Sequence, residues 1–595
     1  MKNHFIPLMA LLALAFPLNT GAKVVTEARA RTIAENFLGA APTRAGAGKL
    51  TLLWDGENKQ TRSASDPAFY IYSREGGGFV IVAGDDIAHP ILGYSYSNNF
   101  SVDGMPENLT AWLDGAREEI NHERRQCTKA SFEIANEWVS AQASTRAGDT
   151  IPSDRLHKTA EWNQSGVYNQ YAPVFKDNGK QGPIGCVNVA FGILMKFHEY
   201  PDRLLANIPG YTASDGNYSV PASKAGHKYD WSKIRLTYKD GEYTDEEGKA
   251  VARLLMDIAT MAQASFGHSG TGANFTTAST RAITYFGYDP GVYHYNRTYF
   301  TVQEWRDVLK KEIAVRPIGY AFYTESGGGH AVVYDGYDSR DYFHINFGWG
   351  GSSNGYYCND ITCTTSPLTF TQSHTAYFSI KPKDGGKYFL QYYMTGTGLS
   401  CPKASSITPG KAFTVGITIG NNSAKSGASN GQIIVGLCNK DGELIEPAMS
   451  PKSTTLSSGY YITYSDISCK FDSKIKFGDM LKVFYREAGT TEWIPASYNK
   501  NVESPIGEIH LTDDTTMAEQ NTLSYDKKTK KYTLVGPSNS EAKLLDANGN
   551  EVKEGFAARY GKIQLDGNVL APGRYTLVVS AKKYEDIFQL GITIK

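Results

Sequence analysis

Hydrophobic and polar positions along the chain change their period several times, and each change predicts a change of element. Leu109, Trp112, Leu113, Ala116 and Ile120 recur at three- and four-residue spacing in an otherwise polar segment, the stripe of an amphipathic helix. A similar pattern over 28–38 predicts an earlier helix. Between them, Phe69-Tyr70-Ile71-Tyr72 and Phe79-Val80-Ile81-Val82 flank Gly76-Gly77-Gly78, two β-prone runs around a turn. Apolar residues at 186, 190, 193, 194 and 197 predict a helix entered from the Gly/Pro stretch 182–185 and ending before Pro201. From about 386 onward the pattern becomes short alternating runs separated by Gly, Asn, Asp and Ser. The runs 414–419, 432–437 and 481–485 read as strands of a β-sandwich. A second β-module starts near Ile506, with turn signals at Asp546-Ala547-Asn548-Gly549 and Ala571-Pro572-Gly573 and a strand over 575–580.

These shifts divide the 595 residues into several domains, more than one core can serve. The predicted divisions are 1–22, 23–146, 147–385, 386–505 and 506–595. The first is a signal peptide: Lys2 supplies charge, 6–16 is apolar, and Thr20-Gly21-Ala22 offers small residues for cleavage. The expected location is therefore outside the cell or on its surface, with a retained N-terminal anchor as the lesser alternative. No later run reaches the roughly 18 apolar residues of a membrane span. Around Ser144-Thr145-Arg146-Ala147-Gly148 the composition turns small and polar, the mark of a cleavable linker.

Composition then removes partners rather than adding them. Sixty basic residues against 61 acidic leave a net charge of −1, with no dense Lys/Arg run, so neither nucleic acid nor an anionic membrane is indicated. Seven cysteines in an exported chain allow up to three disulfides and leave at least one thiol over. Cys358 and Cys363 are spaced for a short loop bridge, whereas Cys401, Cys438 and Cys469 fall in the β-rich part and Cys127 near the end of the N-terminal part. No CxxC pair or His/Cys cluster has zinc spacing, so no metal and no cofactor is expected.

Cys186 stands in the one context built for reactivity. It follows Gly182-Pro183-Ile184-Gly185 at the start of the predicted helix, where unpaired N–H groups and the helix dipole favour a thiolate and can receive an oxyanion. Gly185 leaves room for substrate. From this motif alone, a buried structural cysteine is an equal reading. A nucleophilic thiol needs a base, and His198, twelve helical residues on, is about 18 Å along the axis and out of reach. His330 follows Gly327-Gly328-Gly329 and opens Ala331-Val332-Val333-Tyr334-Asp335-Gly336, so a glycine loop delivers it to a strand edge with backbone open to a ligand. Beyond it, Asn346 is placed to accept the second imidazole N–H, and Trp349, on the loop Gly348–Gly351, to cover the pair from water. Alternation puts 344 and 346 on one face of that strand and 343, 345 and 347 on the other.

The stretch from Trp162-Asn163-Gln164 and Tyr168-Asn169 through Gly185-Cys186-Val187 to Lys196-Phe197-His198-Glu199-Tyr200-Pro201 resembles the nucleophile region of the streptopain family of cysteine proteases, interpain included. Gly329-His330-Ala331-Val332, Asp335-Gly336 and Asn346-Phe347-Gly348-Trp349-Gly350-Gly351 resemble that family's histidine region, in the same order. Gly78-Phe79-Val80-Ile81-Val82, Asp85-Asp86 and Pro90-Ile91-Leu92-Gly93-Tyr94 resemble its inhibitory propeptide, and the likeness runs over roughly 23–383. Two positions depart from the pattern: Asn188-Val189 stand where the family has small residues, and Phe347 where it has Trp.

The resemblance implies an α+β, papain-like catalytic domain behind an α+β propeptide that blocks the site and displaces the histidine until the linker near Arg146 is cut, often by the enzyme itself. It also implies cleavage of protein or peptide substrates with an apolar residue in P2. The reaction expected is acyl transfer through Cys186 and His330, with Asn346, Trp349 and Gln164, an oxyanion donor, completing the catalytic set and Gly185, Gly328 and Gly329 lining the substrate. The chain is expected to act as a monomer. The alternatives are a cell-wall peptide hydrolase of the NlpC kind, and an inactive adhesin or inhibitor carrying a dead protease domain.

Overall fold

The structure, a computed structural model, describes residues 23–39, 49–54, 66–126, 129–143, 153–323, 329–361, 374–423, 428–476, 478–500, 506–511, 524–526, 528–535, 540–559, 562–581 and 588–594. The predicted signal peptide, the predicted linker at 144–148, Gly327, Gly328, Cys127 and Cys363 lie outside these. Residues 386–595 group with 298–300 as one compact unit, and the rest of the chain forms another.

In the first unit the helices are α1 (Glu27–Gly39), α2 (Glu107–Arg125), α3 (Phe132–Ala143), α4 (Cys186–His198), α5 (Asp245–Ala262), α6 (Phe275–Tyr285) and α7 (Val302–Ile313). α5 and α7 start at capping boxes, Thr244 with Glu247 and Thr301 with Glu304. The predicted hairpin forms as Phe69–Arg74 paired with Phe79–Ala83, and Gly76, Gly77 and Gly78 turn it at φ of +88, +111 and +107°.

The two predicted domains of this unit share a sheet. Among the described residues it has eleven strands, and its path runs Leu50–Trp54, Phe69–Arg74, Phe79–Ala83, Ile91–Ser95, Gly355–Tyr357, Phe343–Asn346, Gly329–Asp338, Ile318–Tyr323, Thr375–Phe378 and Tyr293–Asn296, with Ser153–Leu156 pairing to Gly329–Asp338. The seam lies where Tyr94 and Gly93 pair antiparallel with Tyr356 and Tyr357. α4 packs against Gly329–Asp338 on one side and α5 on another, and every residue from Val187 to Lys196 is buried. Gly192 is glycine because a Cβ there would stand 2.6 Å from Leu255 and 3.0 Å from the Trp162 ring.

From 386 onward the second unit is all β among its described residues apart from one 3-10 turn. A three-stranded sheet (Tyr392–Ser400, Phe413–Asn421, Tyr461–Cys469) and a six-stranded one centred on Ala428–Cys438 and Met480–Glu487 share a core that includes Ile417, Ile419, Ile433, Val435, Leu481 and Val483. Two four-stranded sheets follow, with a separate core of Leu544, Ile563, Leu565, Leu570, Leu577 and Ile594. The change of core falls later than the predicted 505/506 division: Glu508–His510 pairs with Met480–Glu487, and Leu511 belongs to the first core. Cys401, Cys438 and Cys469 carry free thiols, and buried Cys358 donates to the Asp360 carbonyl at 2.9 Å.

Candidate active site

Cys186 is the first residue of α4, and its cap Gly185 has φ +95°. The structure adds a reason for that glycine. The side a Cβ would occupy is filled by the Thr271 carbonyl oxygen at 2.6 Å, so backbone conformation and this contact by themselves demand glycine there. Thr271 also donates its hydroxyl to the Pro183 carbonyl at 2.6 Å, pinning the entry loop. Upstream, Gln164 is held through its main chain: its N–H donates to Asn163 Oδ1 at 2.7 Å and its carbonyl accepts from Ile184 at 2.8 Å.

His330 opens the strand Gly329–Asp338 opposite Phe322, with ring centroids 5.8 Å apart. α4 packs against this strand and brings Cys186 beside the histidine segment, where the Ala331 main-chain N–H acts on the Cys186 sulfur in the direction that favours thiolate. Burial raises the Cys186 thiol pKa, and the main-chain N–H groups of Ala331, Val187 and Cys186 itself only partly offset this. The expectation of a helix-stabilised thiolate is therefore reversed in this form of the chain. Burial lowers the His330 pKa, against a pull upward from the Glu107 carboxylate. Both groups are held neutral, and no hydrogen bond joins the His330 ring to another described residue.

Asn346 is placed differently from the expectation. Its Oδ1 accepts from the Gly348 N–H at 3.0 Å, and its Nδ2 donates to Thr159 Oγ1 at 3.1 Å and the Ala160 carbonyl at 2.9 Å. Thr159 in turn donates to Asp335, which binds His344 Nδ1 at 2.5 Å. The amide thus ties a buried network together instead of reaching His330. The Trp349 loop is fixed by the Gly350 N–H on the Trp162 carbonyl at 2.8 Å, while Trp349 Nε1 is buried with no partner among the described residues. Gly329 lies against the Tyr323 ring. His198 donates through Nε2–H to the Ile380 carbonyl, 3.0 Å away, at the far end of α4.

The start of α2 also comes to this site, which the sequence reading missed. Asn108 Nδ2 donates to the Phe347 carbonyl at 2.8 Å and reaches the Ala331 carbonyl at 3.5 Å. The Glu107 carboxylate acts electrostatically on both Cys186 and His330. Their only signal was their place at a helix N-terminus, after Pro106, which says nothing of what lies opposite.

Residues 162–357 match the model of the Peptidase C10 family, and residues 22–120 match that of the Spi protease inhibitor. Streptopain of Streptococcus pyogenes is 30% identical over 304 residues, which are 48% of this chain and 73% of streptopain. This chain belongs to the peptidase C10 family. It is a streptopain-like cysteine endopeptidase carrying its inhibitor propeptide in the same chain, and the C10 assignment displaces the cell-wall hydrolase alternative. A thiol protease/hemagglutinin, PrtT of Porphyromonas gingivalis, is 29% identical over 372 residues, 60% of this chain and 41% of PrtT. Among solved structures, a prointerpain A fragment of Prevotella intermedia covers 57% of this chain and 100% of the fragment at 22% identity and a TM-score of 0.46. Residues 497–594 match the model "Heme-binding protein Shr-like, Hb-interacting domain".

In this C10 peptidase, the inhibitor segment makes further contacts with the histidine side. Tyr94 donates to Asp338 at 2.7 Å, Tyr342 donates to the Ile91 carbonyl at 2.5 Å, and the Trp112 ring meets the Tyr357 ring edge-on at 4.8 Å.

Proposed function

We propose that this zymogen is exported through residues 1–22, that 23–146 is the inhibitory propeptide and 147–385 a papain-like catalytic domain, and that the cut near Arg146 releases an enzyme working through Cys186 and His330. In the mature enzyme His330 takes the Cys186 proton. The thiolate sulfur adds to the peptide carbonyl, and the imidazolium returns that proton to the leaving amine as the C–N bond breaks. Water, deprotonated by His330, then opens the thioester to release the acid. Gln164 and the N–H groups at the start of α4 receive the oxyanion. Asn346 orients His330 once released from its present bonds, Trp349 covers the pair, and Gly185, Gly328 and Gly329 flank the substrate chain. The substrates are proteins or peptides with an apolar P2 residue, and the enzyme acts as a monomer without metal or organic cofactor.

The observation that carries this reading is the position of the Cys186 sulfur at a helix start and beside the main chain of the residue following His330. The test is a time course of the precursor and its Cys186→Ala variant, followed by gel and N-terminal sequencing, with casein as substrate under mild reduction. Wild type should process itself near 140–155 and then cleave casein, and the variant should do neither. Self-processing by Cys186→Ala would sink the assignment.

The match over 497–594 favours a second function beside the first: the C-terminal module binds haemoglobin and brings it to the protease as substrate. Cys186→Ala precursor should bind immobilised haemoglobin and not albumin. Equal binding to both would end this reading.

A further inference from the structure

Two residues after Cys186, Asn188 is 0% exposed and lies in the first turn of α4. Its Nδ2 donates to the Ile184 carbonyl at 2.7 Å, across the segment that holds Gly185 and Cys186. Ile184, also 0% exposed, donates its own N–H to the Gln164 carbonyl at 2.8 Å. The two bonds form a brace from the nucleophile helix, through the peptide preceding the glycine cap, to the segment of Gln164. The other half of the Asn188 amide is idle: Oδ1 is buried with no hydrogen-bond partner among the described residues. A buried amide with one end unsatisfied is a poor choice for stability, because leucine fills the same shape with no polar atom to desolvate. The bond it does make falls on the segment whose N–H groups must face a substrate carbonyl.

We propose that Asn188 is a positioning residue for the C10 reaction. It fixes the Ile184–Gly185–Cys186 backbone and, through Ile184, the main chain of Gln164, so that the donors around the tetrahedral oxyanion are set before substrate arrives. This rests on Cys186 as nucleophile. Asn188 touches no reacting atom; it acts on the carbonyl-binding geometry and leaves the thiol's own reactivity alone. A donor that is misaimed costs rate at the acylation step, with little effect on substrate binding.

The experiment compares full-length Asn188→Leu and Asn188→Ser chains with wild type after self-processing. Leucine keeps the shape and removes the donor, whereas a serine hydroxyl can reach the carbonyl four residues back. For Asn188→Leu, kcat on a peptide amide should fall at least about tenfold with KM within about twofold, and Asn188→Ser should recover most of the loss. If Asn188→Leu processes slowly, its rate of self-processing supplies the same comparison. The melting temperature of Asn188→Leu should not fall, and the pH profile of Cys186 alkylation by iodoacetamide should match wild type. Wild-type kcat in Asn188→Leu, a serine variant as slow as the leucine one, or a loss that tracks the unfolded fraction would each overturn the proposal. Casein cleavage surviving alkylation of Cys186 in the wild type would instead remove the nucleophile assignment, and this proposal with it.

Discussion

The two walls of the active site are built in different ways. The packing and hydrogen bonds of the Cys186 wall come from the catalytic segment: Thr271 pins Pro183 and crowds Gly185, Ile184 holds Gln164, and α4 is buried against α5. The His330 wall is finished by the propeptide. Asn108 takes the Phe347 carbonyl, Tyr94 takes Asp338, Asn98 takes the Asn354 carbonyl, the Cys358 N–H donates to the Leu92 carbonyl, and Ile91–Ser95 extends the sheet through Gly355–Tyr357. The propeptide's side-chain contacts with the catalytic segment described here gather on the histidine side. On this side Asn346 is occupied with Gly348 and Thr159, and desolvation disfavours the charged forms of both Cys186 and His330.

That contrast breaks most sharply at the reacting pair. His330→Ala should abolish turnover and self-processing by at least about 10⁴-fold, while the precursor keeps its melting temperature, since the ring makes no hydrogen bond to another described residue. A next test strikes the Cys186 wall. Gly185→Ala puts a Cβ where φ is +95° and the Thr271 oxygen stands at 2.6 Å. It should cost roughly 3 kcal/mol in urea unfolding and depress activity even in chain that has lost its propeptide. Stability equal to wild type would show that the entry loop yields more readily than its contacts indicate.

A smaller effect with the opposite sign is expected on the histidine wall. Tyr94→Phe leaves a buried Asp338 carboxylate oxygen without its 2.7 Å donor, and loss of such a charge-assisted bond is worth about 1.5–3 kcal/mol. The propeptide grip should weaken by roughly 10- to 100-fold, read as faster self-processing of the precursor, with kcat of the mature enzyme unchanged. Asn108→Ala should act in the same direction. Lower mature activity in either variant would place these residues in the catalytic machinery and erase the distinction between the walls.

What the sequence disclosed follows the same division. The Cys186 wall is written locally: glycine cap, nucleophile and apolar stripe are consecutive, so the helix Cys186–His198 is legible from period and punctuation. The strand at His330 and the hairpin at Gly76–Gly78 were legible for the same reason. The union of propeptide and catalytic segment in one sheet was not. Pairing of Tyr94 with Tyr356 joins residues far apart in the chain, and neither three-residue Gly355–Tyr357 nor five-residue Ile91–Ser95 announces its neighbour. Asn346 was read by its place on the strand, but its partners Thr159, Ala160 and Gly348 come from a second segment and a loop, so the residue was visible and its bonds were not.

The last comparison is between the two ends of the nucleophile helix. At its far end His198 is held by the Ile380 carbonyl and, chiefly because burial disfavours the imidazolium, its pKa is lowered to about 4, while His157, whose ring also neighbours Phe197, is lowered for the same reason. In the unfolded chain such a histidine titrates near 6.5. Between these values the unfolded state binds the proton and the folded state does not, so the contribution of His198 is complete above about pH 6.5 and is lost as pH falls toward 4. With allowance for solvent screening this amounts to roughly 2 kcal/mol. Urea unfolding of the precursor should therefore weaken from pH 7 to pH 5, and His198→Gln, which keeps a donor for the Ile380 carbonyl and cannot take a proton, should flatten part of that slope. An unchanged slope would mean that His198 is solvated well enough to titrate normally. The acid response would then lie with His157 or His330, which burial also holds below the usual histidine range.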